Sequence, residues 1–325
     1  MIPRLNIAFP IKRQWCYWFG REYAPKEGEY LLNHARTGIV MALKVSVPEG
    51  SRVGVVAYNC HTVANAVTQA GCKQVFVDVT EELKIDVASV PADLDAIVVT
   101  NLFGIRNDIE AIRKRCSKAI IIVDNAHGYG LSAEGDFTVH SINQGKFPAL
   151  GEGGILYAIE DWRLKIDDLY KAMPYYGFVA QVKLFVSMLI KATAYSRCMY
   201  WLTMRLKKSA NPDVHETVVM KKMAKGVSRM YQAALPEIPQ IIEQQRVNAA
   251  KIEGAFYGEN AFMAIVHTDD PGALQKQYAA RGIETATHFN RCIDWAKQFG
   301  YVEGSCPQAE ELTKHLLMIP TYRAI

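Results

Sequence analysis

The 325 residues are 50% apolar and 22% charged, with a formal net charge of +4, which excludes a disordered chain, a collagen-like repeat and a disulfide miniprotein. The positive excess is small and spread along the chain, so we expect no nucleic-acid partner. Seven scattered cysteines without a C-x-x-C pair favour free thiols, and no apolar signal core opens the sequence, so we expect a cytoplasmic protein.

Short apolar segments alternate with helical patterns in the first half of the chain. Helical patterns lie at about 60–71 and 107–116, between segments that are apolar on both faces. This alternation predicts a mainly parallel sheet covered by helices, with a ligand site at the carboxyl ends of the strands. The predicted strands are residues 53–58, 74–79, 94–100, 119–124, 137–142 and 155–159.

The pattern changes after residue 161. Residues 161–208 predict a helical arm whose stretch 178–204 is apolar, but lysines and an arginine interrupt that stretch, so we do not expect it to span a membrane. A long helix is expected at 230–256, with a break near its two prolines, followed by a strand at 262–267 and further helices. We therefore predict a large domain at 1–225, including the arm, and a smaller α+β domain at 226–325.

Two segments carry residues that could do chemistry. Lys146 follows a predicted strand and precedes a glycine-rich turn; a lysine held there could form a Schiff base, although this segment alone favours a solvated loop lysine. Asp124 ends an apolar strand. It either caps the next helix, which is the reading this segment alone favours, or meets a buried cation.

Together these segments resemble the DegT/DnrJ/EryC1/StrS family of sugar aminotransferases. The family pattern is an apolar strand with E-D-x-A-Q, then G-D, then S-F-x-x-x-K-x-x-x-x-G-E-G-G. Residues 123–127, 135–136 and 141–154 follow it, and the serine, the lysine and the G-E-G-G run keep the spacing without a gap. Weaker matches extend the resemblance over about residues 30–325, which implies a pyridoxal-phosphate-dependent transferase of fold type I.

The resemblance implies a role for each motif residue. Lys146 would form the Schiff base with pyridoxal phosphate and move the proton, and Asp124 would pair with the pyridine nitrogen. His127 stands where the family usually has glutamine near the ring hydroxyl, and Ser141 would bind the phosphate. Arg36 and Thr37, at a predicted helix start, are further phosphate candidates, with an ordinary helix cap as the alternative.

Two further positions depart from the family pattern. The aromatic residue that stacks on the cofactor ring falls on Cys60, with Tyr58 and His61 as flanking substitutes. Val227 stands where the family has a phosphate-binding asparagine that comes from the partner subunit. Both departures bear on how the cofactor would be held.

The resemblance implies transfer of an amino group from an amino acid, plausibly glutamate, to a nucleotide-linked keto-sugar by a homodimer. Two alternatives stay open: a sugar dehydratase, which in this family has histidine at the lysine position, and a non-catalytic relative. Neither the sugar nor the aminated carbon follows from the sequence.

The apolar stretch 178–204 is the part least like the family. It predicts a buried helix or a dimer contact. The alternative is a surface that touches a membrane or a lipid-linked sugar, with basic residues facing anionic head groups.

Overall fold

The computed structural model describes residues 11–194, with side chains from residue 14, and residues 213–322. A seven-stranded sheet lies at its centre, in the order β1-β7-β6-β5-β4-β2-β3. β7 runs antiparallel to β1 and β6, and the other neighbours pair in parallel. The strands are β1 (Glu29–Leu32), β2 (Arg52–Val56), β3 (Lys73–Val77), β4 (Ala96–Thr100), β5 (Ile120–Asn125), β6 (Phe137–Ser141) and β7 (Gly154–Ala158).

All six predicted strands of the sheet are present, and the predicted α/β fold with a mainly parallel sheet is confirmed. The alternating residues of β4 show why these strands are apolar on both faces. Ala96 and Val98 belong to one buried cluster, Ile97 and Val99 to another on the opposite face. β1, which pairs with β7 at the edge of the sheet, was not predicted.

Helices cover both faces of this sheet. The cluster on one face includes residues of α2, α3 and α5, and the cluster on the other includes residues of α1, α4 and α7. The helices are α1 (Ile11–Phe19), α2 (Ala35–Ser46), α3 (His61–Gln69), α4 (Ile109–Arg115), α5 (Glu160–Ala172), α6 (Phe178–Ala194), α7 (Lys225–Ala234), α8 (Ile238–Ala249), α9 (Pro271–Ala280), α10 (Cys292–Lys297) and α11 (Pro307–His315).

The predicted arm contains a break. α5 and α6 are separated at residues 173–177, which include Pro174, and residues 195–208 of the arm lie outside the described part of the chain. Within the described part, none of the helices has the length and apolar character needed to cross a membrane.

The predicted helix at 230–256 consists of two helices. α7 begins at Lys225, a 3₁₀ turn (Leu235–Glu237) follows, and α8 ends at Ala249. The break coincides with Pro236 and Pro239, since proline removes a helical hydrogen bond and crowds the preceding turn. The predicted domain boundary therefore falls at the start of α7; the division itself stays a prediction.

The C-terminal part contains a second, two-stranded sheet. β8 (Met263–His267) pairs antiparallel with β9 (Leu316–Pro320), and α9, α10 and α11 lie between them in sequence. Phe289, in the loop before α10, belongs to the same buried cluster as Phe103 beside the large sheet. This loop brings C-terminal residues to the carboxyl ends of the central strands.

Candidate active site

An open cavity of about 790 Å³ lies at the carboxyl ends of the central strands. Thr100 ends β4, Asp124 lies next to the end of β5, and Ser141 ends β6. Side chains thus converge where parallel strands of a sheet usually bind ligands. The cavity is lined by His34, Ala35, Arg36, Ile39, Asn59, Cys60, Thr62, Val63, Thr100, Asp124, Ala126, His127, Ser141, Asn143, Gln144, Lys146 and Phe289.

Lys146 and His127 contact each other inside this cavity. The Lys146 Nζ lies 2.5 Å from His127 Nε2, and the backbone N–H of Phe103 donates to His127 Nδ1 at 3.3 Å. Because Nδ1 accepts, a neutral imidazole carries its proton on Nε2 and donates it to Lys146. The amine of Lys146 must then accept, so this network assigns it as the uncharged free base.

The electrostatics of the pair agree with that assignment. Burial holds the pKa of His127 well below its usual value, and a positive charge on Lys146 or His288 would lower it further. Burial also lowers the pKa of Lys146, against the opposing effects of Cys60 and Asp124. Both groups therefore lose protons more readily than in water, and a neutral lysine is the nucleophilic form.

Asp124 is a buried carboxylate with spare acceptor capacity. Its Oδ1 accepts from the Ala126 N–H at 2.9 Å, while Oδ2 has a 3.5 Å contact with the Thr100 hydroxyl. No ion pair to Asp124 is formed among the described residues. Burial raises its pKa, in spite of the Ala126 hydrogen bond and the nearby Lys146. A cationic group at this carboxylate would reverse that effect.

Two helix N-termini reach the same cavity. Ala35 and Arg36 open α2, Thr62 and Val63 open α3, and neither helix has a side-chain cap hydrogen bond. Arg36 pairs with Glu216 through its NH1 at 3.0 Å, whereas its Nε is buried without a partner. Unpaired N–H groups at helix starts together with a guanidinium favour an anionic ligand here.

The glycine-rich turn after Lys146 is required by close packing. Gly153 has a φ of +142°, a conformation that other residues rarely adopt. A Cβ on Gly154 would clash with the backbone of His34 and Ala35 at the start of α2. The two glycines thus let the strand that follows the lysine loop lie directly against the helix start that lines the cavity.

Cys60 lies at the N-terminus of α3 and faces the cavity. Burial alone would raise the pKa of its thiol. The hydrogen bond with His61 is the largest effect that opposes burial. Together with the charges of His61 and of Lys146, when that lysine is protonated, it lowers the pKa to about 7. In that charge state a large share of this thiol is thiolate near neutral pH.

Six of the eight residues predicted for the site line the cavity, namely Arg36, Cys60, Asp124, His127, Ser141 and Lys146. Thr37 is fully buried and donates to the Asn33 side chain at 2.8 Å, so it holds the start of α2. His61 packs edge-on against Trp295, outside the cavity lining.

The departures from the family pattern have clear positions. Tyr58 is fully buried and donates to the His288 carbonyl at 2.7 Å, so its ring does not line the cavity. Val227 is fully buried in α7, and the neighbouring Ser228 hydroxyl accepts from the Tyr23 N–H at 3.1 Å.

The cavity residues that were not predicted as site residues include Asn143, Thr100 and Phe289. Asn143 accepts from the Gly153 N–H through Oδ1 and donates through Nδ2 to His34 Nδ1 at 3.1 Å, which leaves the His34 proton on Nε2. Thr100 could have been found from its place at the end of a strand. Phe289 carries no local signal, because it reaches the cavity from the C-terminal part of the chain.

Comparison with known proteins agrees with this geometry. The model of the DegT/DnrJ/EryC1/StrS aminotransferase family matches residues 31–325, which confirms the resemblance seen in the motifs. No curated protein sequence matches the chain.

Solved structures with a similar fold share few residues with this chain. The sugar aminotransferase CalS13 from Micromonospora echinospora has 16% identity and a TM-score of 0.71, over 99% of this chain and 95% of that chain. The GDP-4-keto-6-deoxy-D-mannose-3-dehydratase of E. coli, solved with hydrated PLP, has 16% identity and a TM-score of 0.71 over 100% and 96%. A putative sugar aminotransferase, Spr1654 from Streptococcus pneumoniae in its PLP form, has 15% identity and a TM-score of 0.68, over 98% of this chain and 93% of that chain.

Proposed function

Because the chain belongs to the DegT/DnrJ/EryC1/StrS aminotransferase family, we propose that it is a pyridoxal-phosphate-dependent aminotransferase. The amino donor is an amino acid, with glutamate as the candidate, and the acceptor is a keto-sugar linked to a nucleotide. The observation that carries the proposal is the uncharged Lys146 amine in the same cavity as the buried Asp124 carboxylate.

The residues present fit the cofactor. The open acceptor of Asp124 suits the protonated ring nitrogen, and its own burial means that it needs such a cation. The buried, unpartnered Nε of Arg36 and the Ser141 hydroxyl suit the phosphate, together with the uncapped starts of α2 and α3.

Bound pyridoxal phosphate supplies an electron sink that allows an amino group to leave one carbon and join another. This chain supplies the groups around it. Asp124 would hold the protonated ring nitrogen, and Lys146 would provide the amine that binds the cofactor and moves the proton. His127 donates to Lys146 from Nε2. This hydrogen bond requires the lone pair of the amine and therefore favours its uncharged form.

The balance of the reaction follows from the two half-reactions. The donor amino acid loses its amino group and becomes a keto acid, and the sugar ketone gains that nitrogen and becomes an amine. In each half Lys146 would move one proton, a task that suits a lysine whose pKa is lowered by burial.

We also propose that the enzyme is a homodimer, as members of this family are. The side chain of Val227 is buried within its own subunit and cannot supply the asparagine contact to a neighbouring site. Arg36, which lies in the same chain's cavity, is the residue we assign to replace that contact.

The test compares Lys146→Met with Lys222→Met after addition of pyridoxal phosphate. Lys222 is also buried but packs on Tyr170 and Tyr175 away from the cavity, so it is a matched control. We expect a visible absorption band, and a borohydride-trapped adduct at Lys146, in wild type and Lys222→Met only. Glutamate should then bleach the band and release 2-oxoglutarate; a band that persists in Lys146→Met would contradict the assignment.

A dehydratase is the second candidate, because the E. coli neighbour has that activity. Lysine at position 146 opposes it, since the dehydratases of this family have histidine there. Glutamate with isotopically labelled amino nitrogen distinguishes the two. Label in the sugar product supports transamination, whereas loss of a hydroxyl group without label would make the enzyme a dehydratase.

A further inference from the structure

Helices α1 and α6 form one apolar surface that the proposed reaction does not use. Trp18 packs against Phe178 and Phe185, with ring centroids 6.1 Å and 5.5 Å apart, and Tyr17 donates to the Gln181 carbonyl at 2.8 Å. A groove of about 490 Å³ between the helices is lined by Gln14, Trp15, Trp18, Phe19 and Phe185.

The outer side of this surface is unusually apolar. Trp15 is 70% exposed, Phe19 76%, Phe178 72% and Ile190 63%. On α6 the residues Val179, Lys183, Val186 and Ile190 are all exposed and follow a spacing of four, three and four, which places them on one face of the helix. A surface helix of a soluble domain normally has polar residues on that face.

α5 shows the contrast within the same chain. It carries Glu160, Asp161, Asp167 and Asp168 together with basic residues, as a solvated helix does. α6 carries Lys183 and Lys191 and no acidic residue, and α1 contains no acidic residue either. The surface thus combines exposed aromatic and aliphatic side chains with the positive charge of α6, and neither helix has a carboxylate.

We propose that this surface, formed by α1 and α6, docks on an anionic phospholipid bilayer. Aromatic and aliphatic side chains would enter the interface, and the basic residues would contact anionic head groups. Charge decides against a second copy of the chain as the occupant. A twofold interface would bring the same positively charged patch against itself, and it offers no carboxylate on either helix to neutralise the lysines.

The other side of α6 joins this surface to the candidate active site. Met188 is buried and lies where a Cβ on Gly151, in the turn after Lys146, would be. Tyr176, just before α6, donates to Glu152 of the same turn. One side of α6 therefore forms the docking face, and its opposite side packs against the turn that follows Lys146. The inference itself does not depend on the proposed reaction.

Vesicle flotation tests the proposal. We expect wild-type protein to float with vesicles of phosphatidylcholine and phosphatidylglycerol, less at high salt, and not with phosphatidylcholine alone. Ile190→Glu and Phe178→Glu should weaken partitioning about tenfold or more, because each replaces an inserted apolar side chain with a negative charge. Leu164→Glu is the matched control: Leu164 is 73% exposed on the charged helix α5 and its variant should float like wild type.

A second readout is the fluorescence emission of Trp15, obtained by subtracting the emission of the Trp15→Phe variant. We expect this emission to shift to the blue on anionic vesicles only. Wild-type protein that ignores both kinds of vesicle would overturn the proposal. An Ile190→Glu variant that floats like wild type would also overturn it. So would an Ile190→Glu variant whose mass in sedimentation velocity is half that of wild type, because a second copy of the chain would then cover this face. Flotation needs no catalysis, so it fails independently of the proposed reaction.

Discussion

The resemblance to the family places Cys60 at the position of the aromatic residue that stacks on the cofactor ring, and a thiol there changes the chemistry of the cavity wall. Its pKa of about 7 results from the His61 hydrogen bond and from the charges of His61 and of Lys146, when that lysine is protonated, which together overcome burial. We propose that Cys60 adds a nucleophile to the cavity in place of a stacking ring. Phe289, whose ring lies parallel to that of His127 within 21°, is the aromatic wall that this chain retains.

We predict that iodoacetamide alkylates Cys60 at neutral pH and that pyridoxal phosphate protects it. Burial raises the pKa of Cys72, Cys116, Cys292 and Cys306, so these thiols should react slowly. Partly exposed Cys16 lies outside the cavity and is the internal control for protection. Peptide mapping by mass spectrometry measures both; equal labelling of Cys60 with and without the cofactor would place it outside the occupied site.

Lys146, Asp124 and Ser141 were expected at the site from the resemblance to the family, and all three line the cavity at the strand ends. A side chain next to the end of a buried parallel strand can reach only one edge of the sheet. The same reasoning could not separate Thr37 from Arg36. They are neighbours on α2, and only the hydrogen bond of Thr37 to Asn33 shows that it turns away from the cavity. Phe289 could not be predicted from the sequence, because its position depends on packing between distant parts of the chain.

At the scale of elements, periodicity predicted the strands that have two buried faces and missed the strand that lies at the edge. β1 has only four residues and pairs on one side, with β7. The long helix was predicted as a unit, and its break was expected from Pro236 and Pro239. The start at Lys225 was missed because Gly226, Val227 and Ser228 are weak helix formers; Gly226 is required by close packing.

Gly226 allows α7 to approach α1. A Cβ at this position would clash with the ring of Tyr17, which is fully buried and cannot move aside. We predict that Gly226→Ala lowers the free energy of unfolding by about 1–3 kcal/mol through overpacking. Gly177→Ala is the control, since a Cβ there meets nothing within 4 Å. Urea denaturation measures both, and equal stability of the two variants would show that α1 does not pack on α7 in solution.

For the whole molecule, the burial of histidines in and near the cavity determines how the free energy of unfolding depends on pH. Burial lowers the pKa values of His34, His127 and His140. Below the usual histidine pKa, the unfolded chain therefore binds protons that the native protein excludes. Stability must then fall as the pH falls through that window, because protonation favours the unfolded state.

His140 makes this effect measurable outside the cavity. It lies on β6 between Tyr129 and Tyr157, and its Nδ1 is buried without a partner. Burial lowers its pKa from 6.5 to about 4, a difference that corresponds to roughly 3 kcal/mol at most. The loss begins as the pH drops below 6.5 and is complete near pH 4, where the native histidine is protonated too.

We predict that His140→Phe, which keeps a ring but cannot titrate, reduces the fall in unfolding free energy between neutral pH and pH 4 by up to that amount. His267→Phe is the matched control for the substitution itself, because His267 is exposed at the end of β8. Chemical denaturation across the pH range gives both curves. If His140→Phe follows the wild-type curve, then His140 is protonated in the native state, and the strand that carries Ser141 is more open to water than its burial implies.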